Sequence, residues 1–211
     1  MKAAPHIVLV HGLARSQYDM ILMSPRLSKL FPHSQIHTFD YRTRRLTISE
    51  AASQLGEFVD GITTTQPVSF VGHSLGGIVV RALDARGACK APLHRLVTLG
   101  SPHYGARIAR VLSGYSIPRW ILGPALSELG ALELPELPTQ LEIGCVVGGT
   151  SHWTGFFPLF GEDNDGVVLV RESHLKTSVA QRQVPILHAF FPFSRRATQL
   201  AASFLSDGRF E

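Results

Sequence analysis

Eight residues, Phe70-Val71-Gly72-His73-Ser74-Leu75-Gly76-Gly77, constrain this chain more than any other segment. They read as a strand that ends, turns sharply on a serine and starts a helix. Ahead of them, Pro67-Val68-Ser69-Phe70-Val71 is a short apolar run rich in β-branched and aromatic residues. Behind them, Ile78-Val79-Val80-Arg81-Ala82-Leu83 has the spacing of a largely buried helix. A serine at such a turn is held in strained backbone geometry with its hydroxyl raised above the sheet edge. The strain is tolerated only where the residues two places away are small, and Gly72 and Gly76 satisfy that. The bland alternative is a glycine turn with an incidental serine, and the remainder of the chain decides against it.

A chain of 211 residues suits one well-buried α/β domain, expected to span 1–211. With 45% hydrophobic and 17% charged residues it is globular, not disordered. The net charge of +4 arises from scattered basic residues, clustered only at Arg42, Arg44, Arg45 and at Arg195-Arg196. Without interleaved aromatics or a nucleic-acid motif, this reads as a solvated basic surface, and nucleic acid is not an expected partner. Cys89 and Cys145 have no metal-ligand spacing and read as two reduced thiols. The N-terminus enters the apolar run Ile7-Val8-Leu9-Val10 almost at once, with no separate hydrophobic region and cleavage site. The expectation is no signal peptide, a cytoplasmic location and no transmembrane segment.

Strands are predicted at Ile7 to Val10, Gln35 to Asp40, Val68 to Val71, Arg95 to Leu99, Leu141 to Val147 and Val184 to Leu187. Helices are predicted at Tyr18 to Leu30, Ile48 to Gly61, Leu75 to Ala85 and Arg195 to Leu205. Such alternation implies a parallel sheet with helices on both faces. The stretch from Ser101 to Thr139 is too long for an ordinary connection. Within it, Leu126, Leu129 and Leu132 share one helical face, so it is either a crossover helix packed on the sheet or an apolar cap over the site.

A serine hydroxyl is a weak nucleophile and needs an imidazole base supported by a carboxylate. With the order serine, acid, histidine that the elbow implies, His6, His11, His33, His37 and His73 precede Ser74 and are excluded. His94, His103 and His152 lack a suitable preceding acid, and His174 lies only nine residues after Asp165 amid polar residues. His188, after Val184-Pro185-Ile186-Leu187, is the predicted base. The acid is sought in the loop Glu162-Asp163-Asn164-Asp165-Gly166-Val167-Val168, where Asp165 is preferred and Asp163 is the alternative. The same loop partly matches an EF-hand register. Its first ligand position is Gly161, and Gly155 to Phe160 makes a poor entering helix, so no metal is expected.

An oxyanion hole needs two aimed backbone N–H groups, one from the residue after the nucleophile and one from the loop after the first strand. Leu75 and Leu13 fill those places, with His11 expected to pack behind the loop.

Val8-Leu9-Val10-His11-Gly12-Leu13, Gly72-His73-Ser74-Leu75-Gly76-Gly77, Thr98-Leu99-Gly100-Ser101-Pro102-His103-Tyr104-Gly105-Ala106, Asn164-Asp165-Gly166-Val167-Val168 and His188 together carry a family resemblance. The chain resembles the serine lipases and esterases of the α/β-hydrolase superfamily, especially small bacterial lipase-like and inositol-deacylase-like proteins. The resemblance implies a triad of Ser74, Asp165 and His188, a hole from Leu13 and Leu75, and cleavage of an acyl ester without a cofactor. It departs from the full superfamily pattern by starting at what would be the third strand, so a minimal six-stranded sheet is expected. Ser101 stands where threonine or asparagine is usual.

The expected substrate is a small-molecule or lipid ester with an apolar acyl chain, with room for peripheral contact at a lipid surface. Trp120, Leu126 and Phe156 are the expected acyl contacts. An acyltransferase, thioesterase or amidase would use the same triad, and an inactive binding module would be expected to have lost a member of it.

Overall fold

The computed structural model describes residues 4–109, 123–130 and 141–211. In chain order these form β1 (His6–Val10), α1 (Met23–Leu30), β2 (Gln35–Phe39), α2 (Ile48–Ile62), β3 (Val68–His73), α3 (Leu75–Arg86) and β4 (Leu93–Leu99). There follow α4 (Pro124–Gly130), β5 (Glu142–Gly148), the single turn α5 (Val170–Ser173), β6 (Ala180–Val184) and α6 (Arg195–Asp207). The six strands make one sheet in the order β2-β1-β3-β4-β5-β6, and every neighbouring pair is parallel.

Alternation along the strands sends side chains to two cores. Val8, Val10, Val68, Phe70 and Leu96 pack with α2 and α3, while Ile7, Leu9, Val71, Val97 and Val146 pack with α1 and α6. Local signals set the helix ends. Thr47 and Glu50 form a reciprocal capping box that starts α2, and left-handed glycines follow α3 and α6 at Gly87 and Gly208. The buried guanidinium of Arg95 donates to the carbonyls of Leu205 and Ser206 while Nε donates to Glu142. A cation thereby meets the carboxyl end of α6, where the helix dipole favours it.

Two predicted elements differ from the observed ones. The last strand lies at Ala180–Val184, upstream of the apolar run from Val184 to Leu187, which follows it as a connection. At the sheet edge its neighbour among the described residues is β5 alone, so Gln181 and Arg182 can face solvent, and Pro185 has no N–H to extend a ladder. The helix expected from Tyr18 to Leu30 is divided into a 3-10 turn, Gln17–Met20, and α1. Pro25 is tolerated only in the first turn of a helix, so α1 starts two residues before it.

Strand order reverses between β1 and β3, because the chain passes from β1 outward to β2 and then returns to the other side. Val10 of β1 faces Gly72 of β3 and His73 faces Leu99 of β4, which aligns the carboxyl ends of these strands. The loops after β1, β3 and β4 therefore converge at the crevice where open α/β sheets bind their ligands.

Candidate active site

Ser74 occupies the turn between β3 and α3 with φ 52° and ψ −120°, a region that side chains rarely adopt. Such strain costs about 1–3 kcal/mol and persists only where the surroundings enforce it. Here Ser74 N donates to Leu99 O at 3.0 Å. A Cβ on Gly72 would come within 2.5 Å of Gly77, and one on Gly76 would overlap the Val10 carbonyl, so both glycines are required by close backbone approach.

His188 opens a 3-10 turn, His188–Phe193, shortly after β6. Its Nε2 lies 3.0 Å from Ser74 Oγ and its Nδ1 lies 2.7 Å from Asp165 Oδ2. A carboxylate only accepts, so Nδ1 carries the proton and Nε2 is left to accept from the serine hydroxyl. Asp165 is buried, and its second oxygen accepts from Val167 N at 3.0 Å and Val168 N at 2.7 Å. These amides fix the carboxylate, while His188 N donates to Asp165 O at 2.9 Å and ties His188 to the loop of Asp165. Gly148, at the end of β5, gives Asp165 its place, since a Cβ there would lie 2.5 Å from that of Asp165.

Asp163 is turned away into a different job. It accepts from Thr150 N, Ser151 N and Gln183 Nε2 at 2.8, 2.9 and 2.6 Å, tying the loop after β5 to the edge strand. His152 and His174 are exposed. Among the described residues, no group of three or more His, Cys, Asp or Glu side chains is placed to hold a metal ion.

A cleft of about 250 Å³ opens over Ser74 and His188. Its walls are apolar, made by Leu13, Pro102, Ala106, Ile108, Ala109, Leu126, Leu129, Val167 and Val168. Leu126, one of the expected acyl contacts, lines this cleft from α4, and Ala106 N donates to Leu129 O, which joins α4 to the segment after β4. Phe156 is a correction. It lines a neighbouring groove with Pro185, Ile186 and Phe190, because Asn164 draws the 154–157 backbone toward itself and away from the cleft. Trp120, Leu132 and Leu134 lie outside the described residues.

Gly12 brings the loop after β1 against Ser74, where a Cβ on it would sit 3.1 Å from that of the serine. Leu13 follows into the cleft wall, and Leu75 is the first residue of α3. His11 is fully buried behind this loop, stacked on Tyr41, with Nδ1 3.0 Å from Gly12 O. Burial lowers its pKa below the usual histidine range.

His73, beside Ser74, is more deeply neutral. Burial, then the nearby His188, push its pKa well down. Its Nε2–H donates to His188 O at 3.0 Å, holding His188 from behind, and among the described residues its Nδ1 has no partner.

Three residues of the site escaped the sequence reading. Asn164 spends its amide on the acid loop, with Nδ2 donating to the carbonyls of Thr154, Phe157 and Glu162 and Oδ1 accepting from Phe157 N and Gly166 N. Glu172, buried, accepts from Leu169 N and Arg107 N and links that loop to the segment after β4. Arg15 lines the mouth of the cleft. The Asn-Asp-Gly run was a turn signal, but nothing local distinguishes an amide that satisfies a loop from one that faces solvent.

A strained serine at the carboxyl edge of a parallel sheet, with converging histidine and carboxylate, defines the α/β-hydrolase fold class. A family model described as palmitoyl protein thioesterase matches residues 6–122, more than half of the chain, and the chain belongs to that family. Among solved structures, the mature lipase BlEst2 of Bacillus licheniformis is similar at 18% identity and TM-score 0.70, over 97% of this chain and 93% of that one. The metagenomic carboxyl esterase MGS0156 is 18% identical with TM-score 0.63, over 100% of this chain and 72% of the other. The NocB thioesterase domain, in covalent complex with a fluorophosphonate nocardicin G analog, is 17% identical with TM-score 0.57, over 94% and 91%. These likenesses establish the common fold. No helix among the described residues is long and apolar enough to cross a membrane.

Proposed function

We propose that this chain is a serine hydrolase that cleaves carboxylic esters of apolar acyl chains through an acyl-enzyme on Ser74. The observation that carries the reading is the continuous run Ser74 Oγ, His188 Nε2, His188 Nδ1, Asp165 Oδ2, with steps of 3.0 and 2.7 Å, opening on an apolar cleft. Ser74 Oγ attacks the acyl carbon as its proton passes to His188 Nε2. The negative charge developing on the carbonyl oxygen falls to the N–H groups of Leu13 and Leu75. His188 then returns the proton to the leaving alcohol, the C–O bond breaks, and a water activated by the same nitrogen releases the acid.

The family to which the chain belongs, and the thioesterase and lipase descriptions of its structural neighbours, support acyl transfer to water from either oxygen or sulfur. The thioester is therefore kept as the second reading, since the same hole and base serve both leaving groups.

The test is labelling by a fluorophosphonate probe together with hydrolysis of nitrophenyl esters. Wild type is expected to do both, and Ser74→Ala neither, with turnover lowered on the order of a millionfold. Labelling that survives in Ser74→Ala would refute the assignment. Across a series of acyl lengths, kcat/KM should rise with each methylene by up to about fourfold, the equivalent of about 0.8 kcal/mol of apolar burial.

A further inference from the structure

A second and larger cavity, about 770 Å³, adjoins the catalytic cleft. Its character is opposite. Arg15, Arg42, Arg44 and Arg45 line it, against two carboxylates, Asp19 and Asp40. Both carboxylates are already engaged, Asp19 with Arg15 at 3.3 Å and Asp40 with Gln17 N and the His11 ring. Among the described residues no carboxylate pairs with Arg42, Arg44 or Arg45, and all three are exposed.

The two cavities are joined in both wall and frame. Arg15 lines each of them, three residues beyond Gly12 at the nucleophile. The arginine loop after β2 is fastened to the loop after β1 by Ala14 N donating to Thr43 Oγ1 at 2.9 Å and Tyr41 Oη donating to His11 O at 2.9 Å. Ala14 is held at φ 55° in doing so, a conformation that non-glycine residues adopt where surroundings demand it. The backbone that carries these arginines is therefore fastened to the loop beside Ser74.

We infer that this groove binds a phosphate carried on the leaving group of the substrate, while the acyl chain lies in the apolar cleft. The inference rests on the hydrolase reading of Ser74 and adds a substrate class to it. One arginine fork satisfies a carboxylate. With Arg15 held by Asp19, the three remaining guanidinium groups around a volume within the roughly 300–1,000 Å³ range of ligand sites suit a phosphate or diphosphate, whose oxygens accept several charge-assisted bonds. A coenzyme A thioester and a lysophosphatidate both present that chemistry.

Each is compared with a phosphate-free counterpart of the same acyl chain: octanoyl coenzyme A with octanoyl N-acetylcysteamine, and octanoyl lysophosphatidate with monooctanoylglycerol. The expected result is a kcat/KM at least about tenfold higher for the phosphate-bearing member of one pair, carried by KM and shrinking towards about 0.5 M salt as screening grows. The pair that shows it identifies the source. In the variant Arg42→Gln/Arg44→Gln/Arg45→Gln, whose changed side chains are exposed, the preference should collapse to within about twofold. Binding of coenzyme A and of glycerol phosphate to Ser74→Ala protein, measured by calorimetry, reads the groove without catalysis. Absence of preference in both pairs together with absence of binding overturns the inference and leaves the hydrolase reading standing. Binding that persists unchanged in the triple variant also overturns it. Binding without any esterase activity in wild type retains the groove and removes the hydrolase reading.

Discussion

Replacing Asn164 by aspartate changes one atom group and should cost more than most substitutions on this surface-facing loop. Asn164 is fully buried, and its Nδ2 faces three carbonyl oxygens, Glu162 O at 2.7 Å, Phe157 O at 3.1 Å and Thr154 O at 3.2 Å. In Asn164→Asp both N–H donors are lost and an oxygen confronts those carbonyls. At about 1–3 kcal/mol for each buried polar group left without its partner, the protonated carboxyl, whose O–H replaces one donor, costs about 1–3 kcal/mol and the ionised form, which replaces neither, about 2–6 kcal/mol, against a typical domain stability of about 5–15 kcal/mol. The anionic form is the worse of the two, so the new carboxyl should hold its proton and titrate above the ordinary aspartate value of about 3.9. A group whose folded pKa is raised gives stability that is present below its unfolded pKa and lost as pH rises towards the folded one. The penalty relative to wild type should therefore widen from about pH 4.5 to pH 7.5, by up to about 1.4 kcal/mol per unit. Urea unfolding of both proteins at the two pH values measures this, and the wild-type curve cancels other titrations. Since Asp165 is the next residue, turnover of the folded variant should also fall. A difference below about 1 kcal/mol at neutral pH, or one that narrows as pH rises, would refute the argument from the amide's partners.

The two aspartates of the loop should separate kinetically. Asp165→Asn should lower kcat by about ten-thousandfold by holding the imidazole in the wrong tautomer, with the fold retained. Asp163→Asn removes a carboxylate bonded to Thr150 N, Ser151 N and Gln183, so it should lower stability by about 1–3 kcal/mol and kcat by less than about tenfold; the reverse pattern would move the acid to Asp163. The pH dependence of stability should carry the mark of His73 and His103. Burial, aided at His103 by Arg81, holds both well below the usual histidine pKa. For groups depressed in the folded state, the contribution is complete above the unfolded pKa of about 6.5 and is lost as pH falls, at up to about 1.4 kcal/mol per unit for each histidine. Between about pH 6.5 and 5.5, His103→Gln should flatten the measured slope by about one histidine's share, and an unchanged slope would show that His103 does not stay neutral.

Much of the site was legible because its signals are local. The elbow needs Gly72 and Gly76 within two residues of Ser74, and chain order alone removed five of the ten histidines from the choice of base. The six strands were legible where both faces are buried, since burial demands a run of apolar residues, as in β1, β3 and β5. The edge strand β6 carried no such run, because one neighbour and a solvated face let glutamine and arginine stand in a sheet.

What tertiary structure alone decided is which distant groups meet. Asp163 and Asp165 differ little as sequence; the Gly148 gap at the end of β5 and the position of His188 give one a base to orient, while Thr150, Ser151 and Gln183 claim the other. Phe156 read as an acyl contact by composition, yet Asn164 fixes its segment beside a different groove. The arginines at 42, 44 and 45 read as solvated surface; the fastening of the loop after β2 to the loop after β1 sets them in a groove that shares Arg15 with the cleft over Ser74. Sequence reports a residue's chemistry and its neighbours within a turn or two, whereas a buried hydrogen bond is a long-range contact whose partner the fold supplies.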